Sequence, residues 1–392
     1  MLSQIVAVSA INLKSIPQRL GSSLSTVLAS AIVVGVLLAF LAMANGFMKT
    51  VAGAGADDIA LVMRPGSQSE LNSVVSLDQT RIIAQAPQVA RLNGTPLADP
   101  EVYVIVNGTK RSSGTDVNVP LRGVSDQAFA VRDNVRLVAG RMFEPGRTEL
   151  IVGSGVLREF AGFDLGQEAR LGKTVWTVVG VFDAAGSVFE SEVWADAQVI
   201  QNLYNRGTSY QVDRVRLTSA DALDAFNAFL EADPRLKLQA QSERDYLSKQ
   251  GEALSTVIKT IGWPIAITMA LGALAGALNT MYASVAARQR EIGTLRAIGF
   301  GGFATFVGTL VESLILAAAG GLLGAVGAYL LFQDMTASTL SGSFTQVVFR
   351  FEMSPFVVVQ GILLAIAVGL LGGIPPALRA ARVPVVVAFR AG

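Results

Sequence analysis

The stretch TIGWPIAITMALGALAGALNTMYASVAARQREIGTLRAIG, from Thr260 to Gly299, changes character once. From Thr260 to Ala287 there is no charged side chain, a run longer than the roughly 20 helical residues that cross a hydrocarbon core of about 30 Å. Beyond it Arg288 and Arg290 bring charge, Ile292, Leu295 and Ile298 recur at every third position, and Gly299 supplies a stop. The stretch therefore reads as a membrane span that delivers the chain into a short basic turn and a small amphipathic helix on the membrane face. An element that simply rests on lipid has the same pattern.

Three other runs lack charge: Gly21 to Met48, Ser313 to Gln333 and Met353 to Leu378. One such run fits a buried helix of a soluble protein, but four in one chain fit a membrane domain. Mean hydropathy is +0.49 and only 16% of residues are charged. The charge is concentrated: Lys49 to Lys259 holds 22 basic and 26 acidic residues, the balance of an ordinary solvated surface. The fold class expected is thus a membrane α-helical protein with four transmembrane helices and a large α+β extracytoplasmic domain inserted between helices 1 and 2.

Basic residues beside the spans set the orientation. Lys14 and Arg19 precede the first span, Arg288, Arg290 and Arg296 face a single Glu291 in the loop after the second, and Arg379, Arg382 and Arg390 follow the fourth. Those segments are expected in the cytoplasm, with both termini inside. The loop holding Asp334, Arg350 and Glu352 has no basic excess and is expected outside. A cleaved signal peptide ending at Ala42-Met43-Ala44 is the competing reading of the N-terminus; its apolar run is too long for most such peptides. The expected layout is an interfacial helix at 1–20, spans at 21–48, 259–287, 303–333 and 353–378, an extracytoplasmic domain at 49–258, a cytoplasmic helix at 288–300, a short outer loop at 334–352 and a tail at 379–392. Ahead of Pro17, Ile5, Val8, Ile11, Leu13 and Ile16 mix with Ser9, Asn12 and Lys14, as in a helix lying in the interface.

Several chemistries are excluded. The chain has neither Cys nor His, which removes disulfides, thiolate nucleophiles, Ser-His-Asp triads and His-ligated zinc. Gly166 to Thr174 imitates a phosphate-binding loop, but five residues separate its glycines where four are needed, so a turn between strands is the better reading. Gly153-Ser154-Gly155 lacks the flanking glycines of a nucleophile elbow. No run of bases marks a nucleic-acid surface. No catalytic residue, metal site or ATP site is expected in this chain.

Alternation in Val102–Val106, in Thr174–Phe182 and from Val212 to Leu217 marks strands of the outer domain. Capping boxes are expected at Ser76 with Gln79, Thr218 with Asp221 and Ser242 with Asp245. The last of these helices is expected to run on as one rod from about Ser242 to Ala287, roughly 70 Å at 1.5 Å per residue, with Pro264 as a candidate kink. Two separate helices are the alternative.

Ala283 to Phe300, with Val311-Glu312-Ser313 and Gly320-Gly321-Leu322-Leu323-Gly324, closely resembles the FtsX-like permease domain of the MacB-type ABC transporter family. Ala10 to Arg19, Leu121-Arg122-Gly123-Val124, Gly140-Arg141-Met142-Phe143 and Val178-Val179-Gly180-Val181 resemble the same family more weakly. The resemblance implies a permease subunit of the bacterial inner membrane, two such chains together as a homodimer or with a close paralogue, and a cytoplasmic ABC ATPase subunit docked between the second and third spans. It implies no cofactor in this chain, ATP and Mg being held by that ATPase, which is expected on a separate polypeptide; membrane lipids and a periplasmic adaptor are further candidate partners. ATPase coupling falls by resemblance on Glu291, Ile292, Gly293, Leu295, Arg296, Ala297, Ile298 and Gly299, whose apolar side would fill a groove on the ATPase while Arg296 and Glu291 fix orientation. The implied activity is ATP-driven export or extraction of a lipophilic, peptide or lipoprotein cargo. The alternative is an FtsX-like regulator that activates a periplasmic cell-wall hydrolase, and an ion-coupled transporter is a third class. The family layout also divides the outer domain into 55–125 plus 210–245 and 126–205.

Glu312, the intramembrane acid, suits either an ion site or a helix-packing contact, and packing is favoured. Gly272 with Gly276, and Gly320 with Gly324, have the small-xxx-small spacing of close helix contacts.

Overall fold

The structure is a computed structural model that describes residues 1–333, 335–340 and 345–384, without the side chains of Ser22 and Leu340. Asp334, Arg390 and the rest of the tail beyond 384 lie outside the described residues. The chain divides into two compact units: 1–45 with 257–335 and 351–392, and 46–256 with 336–350.

The first unit is helical. Helix α1 (Leu2–Lys14) leads through a 3-10 turn at Ile16–Arg19, where Pro17 sits in the first turn, into α2 (Leu20–Ala52). Helix α3 (Glu243–Ala287) is followed by α4 (Gln289–Ala297), α5 (Gly302–Phe332) and α6 (Pro355–Ala381). Four helices, α2, α3, α5 and α6, are long and apolar enough to cross a membrane among the described residues. Ser354 starts α6 by accepting from Val357 N–H, with Pro355 in the first turn, where a missing N–H costs nothing. The two glycine pairs part company. A Cβ on Gly320 would sit 2.5 Å from Val27 O and one on Gly324 2.4 Å from Ala31 O, so α5 meets the backbone of α2 there. Gly272 and Gly276 meet nothing within 4 Å.

The expected rod is present: α3 is one helix of 45 residues that runs through Pro264, and Ser242 Oγ accepts from Asp245 N–H at its start. Its first residues pack beside the end of α2 inside the second unit. A Cβ on Gly55 would fall 2.3 Å from Arg244 Cα, Arg244 pairs with Asp57 at 2.7 Å, and Arg244 N–H donates to Ala56 O.

The second unit is built on an eleven-stranded mixed sheet: β1 (Ile59–Met63), β2 (Ala98–Lys110), β3 (Asp116–Val124), β4 (Arg136–Gly140), β5 (Glu149–Gly153), β6 (Phe160–Ala161), β7 (Glu168–Leu171), β8 (Thr174–Asp183), β9 (Val193–Asp196), β10 (Val212–Arg216) and β11 (Gln239–Ser242). The order is β7-β8-β5-β9-β3-β2-β10-β1-β11, with β4 on β8 and β6 on β2. Pairs β8–β5 and β9–β3 are parallel and the rest antiparallel. The phosphate-loop imitation is the β7–β8 hairpin, with Gly172 at φ +62° in its turn. Ser76 and Gln79 make the full capping box. Thr218 does not cap its helix, which begins three residues beyond the expected start, at Ala222 behind Asp221.

Among the described residues two large hydrophobic cores lie on this sheet, with a smaller cluster of Ile59, Leu97 and Val131 beside them. One gathers Val62, Ile83, Val215, Phe226, Leu230 and Leu236. The other gathers Val104, Leu121, Phe160, Trp176, Val178 and Ile200. Strand β2 gives Ala98 to the first and Val102, Val104 and Val106 to the second, so the cores divide within that strand and not near residue 125.

Between α5 and α6, where a short loop was expected, stands a β-hairpin, β12 (Thr336–Leu340) with β13 (Gln346–Arg350), which clusters with the second unit. Its β-branched Thr336, Thr339, Val347 and Val348 favour a pleated strand.

Candidate functional site

The segment after α3 folds as its spacing suggests, but its apolar face is partly committed elsewhere. Gly299 adopts φ +101°, and Phe300 N–H reaches back to Leu295 O at 3.0 Å, the bond that closes a left-handed helix C-terminus. Ile292 turns inward and is 5% exposed, packed with Val285, Ala380 and Val383. Arg296 donates to Ala381 O at 3.0 Å and to Val383 O at 2.6 Å. Ile292 and Arg296 thus fasten α4 to the end of α6, with Ile292 turned inward from the more exposed Leu295 and Ile298. Gly293 is buried with Ile292, and Leu295 is half-buried. Glu291, Thr294, Ala297, Ile298 and Gly299 remain exposed, Ile298 by 68%.

Beneath α4 lies a buried charge cluster. Arg288, itself buried, donates to Glu312 Oε2 at 3.3 Å, to Asn12 Oδ1 at 2.5 Å and to Glu291 Oε2 at 3.1 Å. Arg19 pairs with Glu312 Oε1 at 3.2 Å and donates to Ser15 Oγ. Glu312, 2% exposed, therefore joins the N-terminal segment, the turn after α3 and the start of α5. Both its oxygens are occupied by guanidinium groups, which is the arrangement of a packing contact.

A second charge cluster, absent from the sequence reading, fills one face of the outer sheet. Asp99, Glu101 and Tyr103 alternate along β2, and Arg122 on β3, Glu192 and Trp194 around β9, and Arg214 on β10 stand beside them. Arg122 grips Glu192 with two bonds of 2.7 and 2.6 Å, and its Nη1 reaches Glu70 at 2.6 Å and Glu101 at 2.5 Å. Arg132 donates to Asp99 at 3.0 Å and to Glu101, and lies 5.0 Å over the Trp194 ring. Arg214 donates to Glu243, the first residue of α3, and to Glu70 at 3.2 Å. Tyr246, on the same turn, accepts from Glu70 N–H at 3.1 Å.

Burial pushes the Glu70 carboxyl up, but Arg122 and Arg214 outweigh it and hold it below the usual carboxylate range. Burial lowers Arg122, while Glu192 and Glu70 lift it well above an ordinary arginine. Asp213, on the opposite face of β10, is raised well above the carboxylate range by burial and by Asp99, and neither of its oxygens meets a hydrogen-bond donor. A cavity of about 40 Å³ beside Tyr103, Arg122, Tyr246 and Thr345 admits water but not a drug-sized ligand. Among the described residues no group of three or more Asp and Glu is placed to hold a metal ion.

Comparison with known proteins covers both units. The family model of the MacB-like periplasmic core domain matches residues 23–233, and that of the FtsX-like permease C-terminal region matches 264–385. The chain is 26% identical over 99% of its length to "Macrolide export ATP-binding/permease protein MacB" of Azoarcus sp. (strain BH72), covering 60% of that protein. It is 26% identical over 88% of its length to "Macrolide export ATP-binding/permease protein MacB 1/2" of Paracoccus denitrificans (strain Pd 1222), covering 52% of it. The chain thus spans between half and two thirds of these relatives. Among solved structures, the periplasmic region of MacB from Actinobacillus actinomycetemcomitans aligns with 49% of this chain and 92% of its own at 12% identity and a TM-score of 0.38. The extracellular domain of the ABC-type transporter YknZ from Gram-positive bacteria aligns with 47% of this chain and 98% of its own at 15% identity and a TM-score of 0.36.

Proposed function

This chain belongs to the family of FtsX-like ABC transporter permeases with a MacB-like periplasmic core domain, and from that premise we propose that it is the non-catalytic arm through which ATP hydrolysis moves the outer domain. Permeases of this family work with an ABC ATPase; here that ATPase, with its ATP and Mg, docks on the exposed rim of α4. The single observation that carries the reading is the length of α3. One unbroken helix of 45 residues begins at Glu243, inside the charged core of the outer domain, and ends one residue before α4. The helix continues on both sides of Pro264, where one ladder bond is missing for want of an N–H, and a helix that stays in one piece carries displacement at α4 to Glu243 and, through Arg214 and Glu70, to the sheet. Both termini lie in the cytoplasm and the outer domain in the periplasm, and a second permease copy completes the transporter.

The cargo is a lipophilic compound, peptide or lipoprotein, the relatives being named for macrolide export. Export is favoured over activation of a wall hydrolase because the matched outer domain is the MacB-like core.

Docking falls on Leu295, Ala297 and Ile298, with Glu291 at the edge, in place of the Ile292–Arg296 side. Leu295→Asp should lower ATPase stimulation by the membrane-reconstituted complex by about tenfold or more, while the ATPase alone hydrolyses ATP at its usual rate. Full stimulation in that variant would remove α4 as the coupling surface.

A further inference from the structure

The hairpin between α5 and α6 is held at four places, three on the outer domain and one at the end of α2. Ser191 serves both backbone atoms of Val348, accepting from its N–H at 2.9 Å and donating to its carbonyl at 3.5 Å. The Val348 side chain enters the larger of the two cores. The Phe349 ring meets Phe47 edge-on at 5.5 Å, and Thr345 Oγ1 lies 3.4 Å from Tyr103 Oη. Val347, Val348 and Phe349 are all buried.

The receiving surface explains the Gly153-Ser154-Gly155 motif that no chemistry claimed. A Cβ on Gly155 would lie 2.8 Å from Glu190 O and 3.4 Å from Val348 Cβ, so only glycine lets the short helix Ser154–Glu159 close on the hairpin and on the turn that carries Ser191. Ser154 Oγ then donates to Glu190 Oε2 at 2.8 Å, and Glu190 also accepts from Gly186 N–H at 2.6 Å and from Arg158 at 3.1 Å. These bonds set the turn one residue ahead of Ser191.

The other end of the hairpin is short of slack. Three residues separate it from α5 and four from α6, and its base is closed by Phe351 N–H to Met335 O at 2.9 Å. Met353 N–H donates to Gln333 Oε1 at 3.2 Å. A chain of three or four residues reaches roughly 10 to 14 Å when fully extended and far less when so bonded.

We propose that the paired strands Thr336–Leu340 and Gln346–Arg350 form a strap that makes the outer domain follow the outer ends of α5 and α6, a second mechanical link beside α3. It rests on the reading of an ATP-driven outer domain, but the strap itself is present in the resting molecule. Ser191, Gly155 and Val348 are its positioning residues.

The chain has no cysteine, so probes enter a clean background. Spin labels at Glu231→Cys, exposed in the outer domain, and at Leu330→Cys, exposed on α5, report the spread of distances between the two in the full chain in lipid nanodiscs. Inserting about six Gly and Ser residues after Met335 and again after Arg350 slackens the strap without touching its dock. The slack chain should show a distribution about twofold broader or more, and an ATP-driven shift of mean distance about threefold larger, than the unaltered chain with its ATPase. Protection of the Val348 N–H, which donates to Ser191 Oγ, from hydrogen exchange should be equal in both chains, showing the dock intact. Equal distributions overturn the strap, as does an unprotected Val348 N–H in the unaltered chain. The resting arm needs no ATPase: narrow in the unaltered chain and broad in the slack one, with no nucleotide effect in either, leaves the strap standing and sinks the transport reading.

Discussion

The two buried charge clusters differ in balance and in reach. In the outer domain three arginines, Arg122, Arg132 and Arg214, meet five carboxylates, Glu70, Asp99, Glu101, Glu192 and Glu243, on separate strands and turns. In the helical unit one carboxylate, Glu312, holds two arginines, with Asn12 and the exposed Glu291 helping Arg288. A surplus of acid makes each guanidinium of the sheet a shared counter-ion, so removing one orphans several partners. With Glu291 exposed, Glu312 is the one buried carboxylate between two arginines and so the shared member. The comparison teaches that the vulnerable residue in a buried cluster is the one in the minority.

The largest effect should therefore come from Arg122→Leu, which leaves Glu70, Glu101 and Glu192 short of a counter-charge. We expect a loss of about 4 kcal/mol or more from the outer domain, read by thermal unfolding through Trp176 and Trp194. An unchanged melting temperature would break the minority rule.

Glu312→Gln comes next, at about 3 kcal/mol in the helical unit. Made in an Arg288→Gln background it should cost less than half as much, because one of the two like charges is already gone. Additive losses in that double-mutant cycle would show that Glu312 does not act through Arg288.

Asp213 sharpens the contrast at the smallest scale, as an acid with no guanidinium at all. Its folded-state pKa is raised, so the folded form holds a proton that the unfolded form releases, and stability falls as pH climbs from the ordinary carboxylate range toward the raised value. Glu70, lowered, has the opposite sign and loses its contribution as pH falls through its folded value. Asp213→Asn should add about 1 kcal/mol at pH 8 and nothing measurable at pH 4, seen as a flattened alkaline limb in a pH series of melting curves.

The clusters also differ in how far the sequence disclosed them. Glu312 stood alone at the edge of a charge-free run, and Arg288 closed another, so both were visible against an apolar background. Asp99, Glu101 and Arg122 sit on strands whose other face is Val102, Val104 and Leu121, and alternation of that kind reads as a solvated face. What covers them, the turn at Val188–Ser191 and the start of α3, lies between about 65 and 145 residues further along the chain, and no local pattern announces it. The hairpin escaped for a related reason: two five-residue strands between spans are too short for periodicity to stand out from a loop. The spans, the long α3 and the Gly299 stop were legible because each is settled within a few turns of helix. The inward set of Ile292 and Arg296 was not, since it depends on where α6 ends.

The contact of Gly55 with Arg244 has a consequence of its own. Helices of 33 and 45 residues are riveted there at their outer tips, with backbone against backbone and Arg244 bonded across to Asp57 and Ala56. The same two helices touch again at Phe40 with Gly262 and at Thr26 with Thr280, so the pinned tips travel together with the bars behind them. Any side chain at position 55 would act as a wedge in the joint.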